Sequence, residues 1–192
     1  MIKNIALRVD ADNDIGLGHL IRIKGFIYRN ISSYKKFILL TKTNKTLIKK
    51  NFHHQKIKTY FLNKKNYISN NYILKILKSE NCDLLLSDIS YKKNILRKNF
   101  LKKYHNYFLK KKIFSVSIDD PRQYICSSVS IVPYPIKINS LKKNKKSKLF
   151  HGIKYICFNK TLKKNKKKIK KIPKNILIAL SGYDPNNQSM KI

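Results

Sequence analysis

The chain has 192 residues and a formal net charge of +35, with 44 basic side chains against 9 acidic ones. This length suffices for one well-buried domain and part of a second, and no apolar run approaches the roughly 18 residues that a membrane helix needs. The basic side chains are 39 lysines and only 5 arginines, whereas nucleic-acid sites favour Arg for bidentate contacts. We therefore interpret the charge as A/T-biased codon usage on exposed surface, and keep a lysine-rich nucleic-acid or anionic-surface binding module as the alternative.

The cysteines and histidines argue against a disulfide framework and against a metal site. The three cysteines, Cys82, Cys126 and Cys157, are odd in number and widely spaced, which indicates reduced thiols in a cytoplasmic protein rather than a disulfide framework. The histidines show no metal-ligand spacing, so we predict no metal and no cofactor. The start of the chain lacks a signal-peptide pattern. We expect four histidines to be surface residues: His53, His54, His105 and His151.

Along the chain, short apolar runs alternate with longer amphipathic stretches, which is typical of an α/β fold with a parallel sheet. The predicted strands are Ile2–Val9, Phe37–Thr41, Lys56–Phe61, Asp83–Ser87, Ile113–Ile118 and Val129–Val132. The predicted helices are Leu20–Ile31, Asn44–Phe52, Tyr67–Ser79 and Asn94–Lys111. We predict that these elements form a Rossmann-like domain over residues 1–135.

The character of the sequence changes after Pro133-Tyr-Pro135. Residues 136–174 are predicted to be an irregular, lysine-rich connection with a solvated loop at Lys142–Lys148. Residues 175–192 begin with the apolar run Asn175–Ser181, which predicts a buried strand and a following turn. Because one buried strand cannot satisfy its edges alone, we expect it to be the first strand of a truncated second domain.

The most informative segment runs from the first strand through three aspartates into Gly16-Leu-Gly18-His19 and a helix. This order places an imidazole at the carboxyl edge of the sheet, where open α/β folds bind ligands. A helix N-terminus disfavours a charged imidazolium, so His19 is a candidate general base. The alternative is a purely structural role, in which Asp12 and Asp14 are turn or cap residues and the glycines allow the turn.

These residues resemble the N-terminal motif of the PseG/SpsG family, which comprises UDP-sugar hydrolases of pseudaminic acid synthesis and relatives in spore-coat polysaccharide synthesis. The motif is an Arg-x-Asp followed by Ile-Gly-x-Gly-His-x-x-Arg, and its matching residues are Arg8, Asp10, Ile15, Gly16, Gly18, His19 and Arg22. Further matches follow in the same order along nearly the whole chain: Asp88 and Tyr91, Asp119 and Asp120, Gly152 and Tyr155, and Gly182 and Asp184. The paired aspartates before Pro121 are equally consistent with ordinary turn chemistry.

The resemblance implies the N-terminal domain of a GT-B-like fold, in which two Rossmann-type domains face each other. It implies release of UDP from a UDP-2,4-diacetamido-2,4,6-trideoxyhexose, without a metal, by water that His19 deprotonates. The implied substrate-binding residues are Arg8, Asp10, Gly16, Gly18, Arg22, Asp88, Tyr91, Asp119, Gly182 and Asp184. With the second domain truncated we expect low activity from the chain alone. Whether a separately encoded C-terminal half is a partner stays open, as does a non-catalytic remnant.

Overall fold

In the computed structural model, seven strands form one all-parallel sheet with helices on both faces. The structure describes residues 4–12, 16–63, 69–89, 94–118, 127–133 and 147–156, and for residues 94–99 the backbone alone. In chain order the elements are β1 (Asn4–Val9), α1 (Gly18–Arg29), β2 (Lys36–Thr41), α2 (Lys45–Asn51), β3 (Ile57–Phe61), α3 (Asn70–Ser79), β4 (Leu84–Asp88), α4 (Asn94–Lys110), β5 (Phe114–Ile118), β6 (Val129–Val132), β7 (Lys148–His151) and a single 3₁₀ turn (Ile153–Tyr155). The predicted α/β Rossmann-like architecture is confirmed.

The strands lie side by side in the order β3-β2-β1-β4-β5-β6-β7. Along the chain, strands β1 to β3 are therefore added toward one edge of the sheet, and strands β4 to β7 toward the other edge. In register, Val9 of β1 pairs with Asp88 of β4, so the carboxyl ends of these two strands meet where the direction reverses. In open α/β sheets such a reversal point opens a crevice in which ligands bind.

Two apolar layers enclose the sheet, because successive strand residues face opposite sides. On one side, Ile5, Leu7 and Val9 pack with α1 and α2; we refer to it as the α1 side. On the other, Ala6 packs with α3 and with Tyr104 and Phe108 of α4; this is the α4 side. The helices meet the sheet through residues three or four positions apart, for α1 Leu20, Ile23 and Ile27, which places them on one helical face.

The sequence predicted the six strands β1–β6 and the four helices, with bounds that shift by a few residues. Strand β7 is a difference: it lies in the stretch predicted to be irregular, and it pairs in parallel with β6. Its four residues follow a lysine run and are only half-buried or exposed, so they lack the apolar pattern that identifies a central strand. None of the helices in the described ranges combines the length and the apolar character that crossing a membrane requires.

Candidate active site

His19 lies in the first turn of α1, directly after the loop that leaves β1. The loop turns at Gly16, whose φ of +78° is a conformation that side chains other than Gly rarely adopt, and its N–H donates to the carbonyl of Asp12 at 2.8 Å. The residue before the helix, Leu17, makes no side-chain capping hydrogen bond. The fold thus brings an imidazole and the N–H groups of a helix N-terminus to the reversal point of the sheet.

Three side chains converge there, one from β4 and two from α1. The Nδ1 of His19 lies 2.6 Å from Oδ1 of Asp88, whose carboxylate is fully buried. Arg22 donates its Nε to Oδ2 of Asp88 at 2.7 Å and its Nη2 to Oδ1 at 2.9 Å. The guanidinium therefore holds both carboxylate oxygens in the fork geometry that makes Arg–carboxylate pairs specific.

The hydrogen-bond pattern assigns the tautomer of His19. A carboxylate has only acceptors, so the 2.6 Å approach of Nδ1 to Oδ1 requires the proton to sit on Nδ1. The Nη2 of Arg22 also lies 2.9 Å from Nδ1, but both nitrogens then donate to the same oxygen, Oδ1. In the neutral ring, Nε2 then carries the lone pair. Within the described ranges Nε2 has no hydrogen-bond partner, and the His19 side chain is 15% exposed to solvent.

This arrangement can accept a proton. A neutral imidazole whose Nδ1–H is fixed by a buried carboxylate presents Nε2 as a base, and the carboxylate stabilises the imidazolium that forms. The open N-terminus of α1 adds donors and a partial positive charge, which suit an anionic group. Gly18 leaves this region open, since a Cβ there would meet no atom within 4 Å. The site fits general-base chemistry on a polar or anionic ligand.

Two predicted site residues, Arg8 and Asp10, point to the α4 side, away from His19. Arg8 is fully buried, with its guanidinium carbon 5.2 Å from the centre of the Tyr104 ring. Asp10 is also fully buried, and its Oδ1 accepts from the N–H of Lys42 at 2.8 Å. Next to it, the N–H of Ala11 donates to Oγ1 of Thr43 at 2.8 Å. These contacts tie the end of β1 to α4 and to the loop after β2.

The other predicted residues divide into two groups. His19, Arg22 and Asp88 form the cluster above, and Gly16 and Gly18 lie in the adjoining turn. Four predicted substrate-binding residues lie outside the described residues: Tyr91, Asp119, Gly182 and Asp184. Asp12, which the sequence left as a turn residue, forms an ion pair with Lys42 at 3.3 Å. Asp14 lies outside the described ranges.

Comparison of the chain with protein-family models, curated proteins and solved structures found no match. The geometry of the site therefore carries the functional argument. Over the described ranges, no group of three or more His, Cys, Asp or Glu side chains is placed to hold a metal ion.

One histidine prediction is wrong. His105 is buried rather than on the surface, and its Nδ1 lies 2.6 Å from Oγ of Ser115 in β5. Burial lowers the pKa of His105 to about 4, so it is neutral at pH 7. The spacing of Leu101, Tyr104 and Phe108 on α4 could have identified this position, because residue 105 follows Leu101 by four and shares its helical face.

A charged cluster that the sequence pattern did not predict lies at the opposite, amino-terminal edge of the sheet. Glu80, which ends α3, accepts hydrogen bonds from Lys36 at 2.7 Å, from Lys58 at 2.5 Å and from the hydroxyl of Tyr60. Burial raises the pKa of this carboxyl, but the three donors outweigh burial and lower the Glu80 pKa to about 2. The cluster joins α3 to β2 and β3 and lies far along the strands from His19.

Proposed function

We propose that this protein hydrolyses a UDP-sugar of the 2,4-diacetamido-2,4,6-trideoxyhexose class, with His19 as the general base. The single observation that carries the proposal is the Asp88–His19 pair at the reversal point of the sheet, with Nδ1 bound at 2.6 Å and Nε2 left as a base. The motif order that resembles the PseG/SpsG family supports the choice of substrate, because His19 belongs to that motif and Asp88 is one of the further matches along the chain. A GT-B-like arrangement with a second, UDP-binding domain is part of this proposal.

In the proposed reaction, Nε2 of His19 removes a proton from a water molecule as its oxygen bonds to the anomeric carbon. The bond between that carbon and the diphosphate oxygen breaks, and UDP leaves with the electron pair. Asp88 stabilises the imidazolium through Nδ1–H, and the proton then passes to solvent. General-base catalysis of this kind contributes roughly 10²–10⁴-fold. A nucleoside diphosphate is a stable leaving group, so the proposal requires no strong protein acid.

In this proposal the remaining predicted residues bind the substrate or shape its pocket. The N-terminus of α1, with Gly16 and Gly18, would face the sugar and the phosphate next to it. Arg8 and Asp10, whose described contacts are to Tyr104 and to the N–H of Lys42, would shape the pocket through the elements that they join. Gly182 and Asp184 would contribute to UDP binding.

The test is UDP release from the UDP-sugar by the wild-type chain and by His19→Ala and Asp88→Asn variants. Because this proposal includes a second, UDP-binding domain, each protein is assayed alone and with a UDP-binding domain supplied in trans. We expect both variants to lose roughly 10²–10⁴-fold in kcat. Exposed His53 gives a matched control, since His53→Ala should keep wild-type activity.

Two results would count against the proposal. The general-base role fails if His19→Ala retains wild-type turnover. The substrate assignment fails if neither the chain alone nor the reconstituted mixture releases UDP from this substrate although the protein is folded by circular dichroism.

A further inference from the structure

Arg22 matches a motif position that the family resemblance assigns to substrate binding, but its described contacts point to Asp88. Its Nε and Nη2 both bind Asp88, at 2.7 and 2.9 Å, and its side chain is only 17% exposed. A guanidinium that holds a buried carboxylate in this fork is fixed in its orientation, and so is the carboxylate. The arrangement therefore concerns the alignment of Asp88 with His19.

The buried carboxylate of Asp88 needs a compensating positive charge, because an unpaired buried charge is costly. Two groups could supply it: His19 as an imidazolium, or Arg22. Arg is positively charged at every accessible pH, and here it meets both carboxylate oxygens. With Arg22 in place, the charge of Asp88 is compensated and its Oδ1 is held 2.6 Å from Nδ1 of His19.

Arg22 also acts on His19 directly. Its Nη2 lies 2.9 Å from Nδ1 of His19, and both nitrogens approach the same oxygen, Oδ1 of Asp88. Because a carboxylate oxygen only accepts, Nδ1 must donate to it. Among the nitrogens of the neutral ring, Nε2 is then the one that carries the lone pair.

Other charged groups on the elements around His19 have different partners within the described ranges. On α1, Lys24 donates to Asn51 at 3.2 Å. At the end of β1, Asp10 faces the α4 side and Asp12 pairs with Lys42. Asp88 is the charged residue of β4. Among the described residues, Arg22 is therefore the basic side chain that holds Asp88.

We propose that Arg22 is a positioning residue: it holds the carboxylate of Asp88 in line with Nδ1 of His19 and so fixes the ring tautomer that leaves Nε2 as the base. The inference rests on the proposed function only for its catalytic meaning, because the base must present Nε2 to water. The tautomer itself is a property of the free protein. It can be measured without any substrate.

The experiment follows the ¹⁵N signals of the histidine side chains in the free protein as a function of pH, with His19 assigned by comparison with a His19→Gln sample. In the wild type we expect the neutral His19 ring to carry its proton on Nδ1. In Arg22→Gln the fork that holds Asp88 is lost, and the His19 signals should shift toward a mixture of the Nδ1–H and Nε2–H forms.

Three further variants separate charge from structure. Arg22→Lys keeps the charge but loses the fork, so its preference for the Nδ1–H tautomer should lie between those of the wild type and Arg22→Gln. Asp88→Asn replaces the carboxylate by an amide that can also donate and should weaken the same preference, which keeps the test decisive if Arg22→Gln does not fold. Lys24→Gln removes a positive charge from the same helix and should leave the tautomer unchanged.

A wild-type His19 tautomer in folded Arg22→Gln, or in Asp88→Asn, would overturn the proposal. A substrate-binding role for Arg22 would instead raise KM and leave the tautomer as in the wild type. If the tautomer changes as expected but no UDP is released, the positioning role stands and the proposed reaction fails. The two failures are thus distinguishable.

Discussion

The pH dependence of stability should show two separate losses as the pH falls, each assigned to one residue. Glu80 has a pKa of about 2 in the fold against an ordinary value of 4.5. A lowered carboxyl pKa contributes stability that is complete above pH 4.5 and is lost as the pH falls through 2. His105 is held neutral, with a pKa of about 4 against 6.5. Because the unfolded chain binds the proton first, stability falls as the pH drops from 6.5 through 4.

The sizes of the two losses follow from the shifts. At about 1.4 kcal/mol per pH unit, either shift corresponds to roughly 3 kcal/mol at most. The lysines that bind Glu80 are 36% and 50% exposed, so solvent screens their charges and we expect about 1–2 kcal/mol from Glu80. His105 is buried, and its loss should reach about 2–3 kcal/mol. Against a typical domain stability of about 5–15 kcal/mol both are measurable.

The assay is urea unfolding followed by far-ultraviolet circular dichroism at closely spaced pH values, since the chain has no Trp for fluorescence. Relative to the wild type, Glu80→Gln should flatten the curve between pH 4.5 and 2, and His105→Gln should flatten it between pH 6.5 and 4. The difference from the wild type isolates each residue from other carboxyl groups. If Glu80→Gln follows the wild-type slope below pH 4.5, the account of the cluster at the end of α3 is wrong.

Three further predictions concern other parts of the molecule. Tyr104→Phe removes the hydroxyl that lies 3.1 Å from Oγ of Ser87 and should lower the free energy of unfolding by about 1–2 kcal/mol, as measured by urea titration; no change would mean that this contact contributes nothing. Cys82 is buried, and burial raises its pKa to about 12. In a variant with Cys126 and Cys157 replaced by Ser, alkylation of Cys82 should therefore require unfolding. Rapid labelling of the native protein would contradict this. Binding to duplex and single-stranded DNA at about 150 mM salt should be no tighter than the non-specific range of about 10⁻⁴–10⁻⁶ M, and a nanomolar, sequence-dependent affinity would instead favour the binding-module alternative.

The sequence predicted the parts of the fold that depend on local pattern. Alternating apolar runs located β1–β6, and the Gly16-Leu-Gly18-His19 turn correctly placed the histidine at the start of a helix. Arg22 follows His19 by three residues, so a shared helical face was also predictable. The half-exposed strand β7 was missed because its residues carry no strong apolar alternation.

The partner of His19 could not be derived from local pattern. Asp88 lies 69 positions further along the chain, and it reaches His19 only because β4 is the neighbour of β1 and Val9 is in register with Asp88. Strand order and register are long-range properties, set by how helices cover the two faces. The opposite orientation of Arg8 and Asp10, in contrast, follows from the two-residue period of β1.

The end of β4 links the two faces of the sheet mechanically. Ser87 contacts Tyr104 on one face, and the next residue, Asp88, holds His19 on the other. Arg8 of β1 is in register with Ser87, so it lies next to the same end of β4. A substitution in the core between α4 and the sheet can therefore displace the Asp88 carboxylate without contacting it. The effect of such substitutions on function would show how accurately the imidazole of His19 has to be oriented.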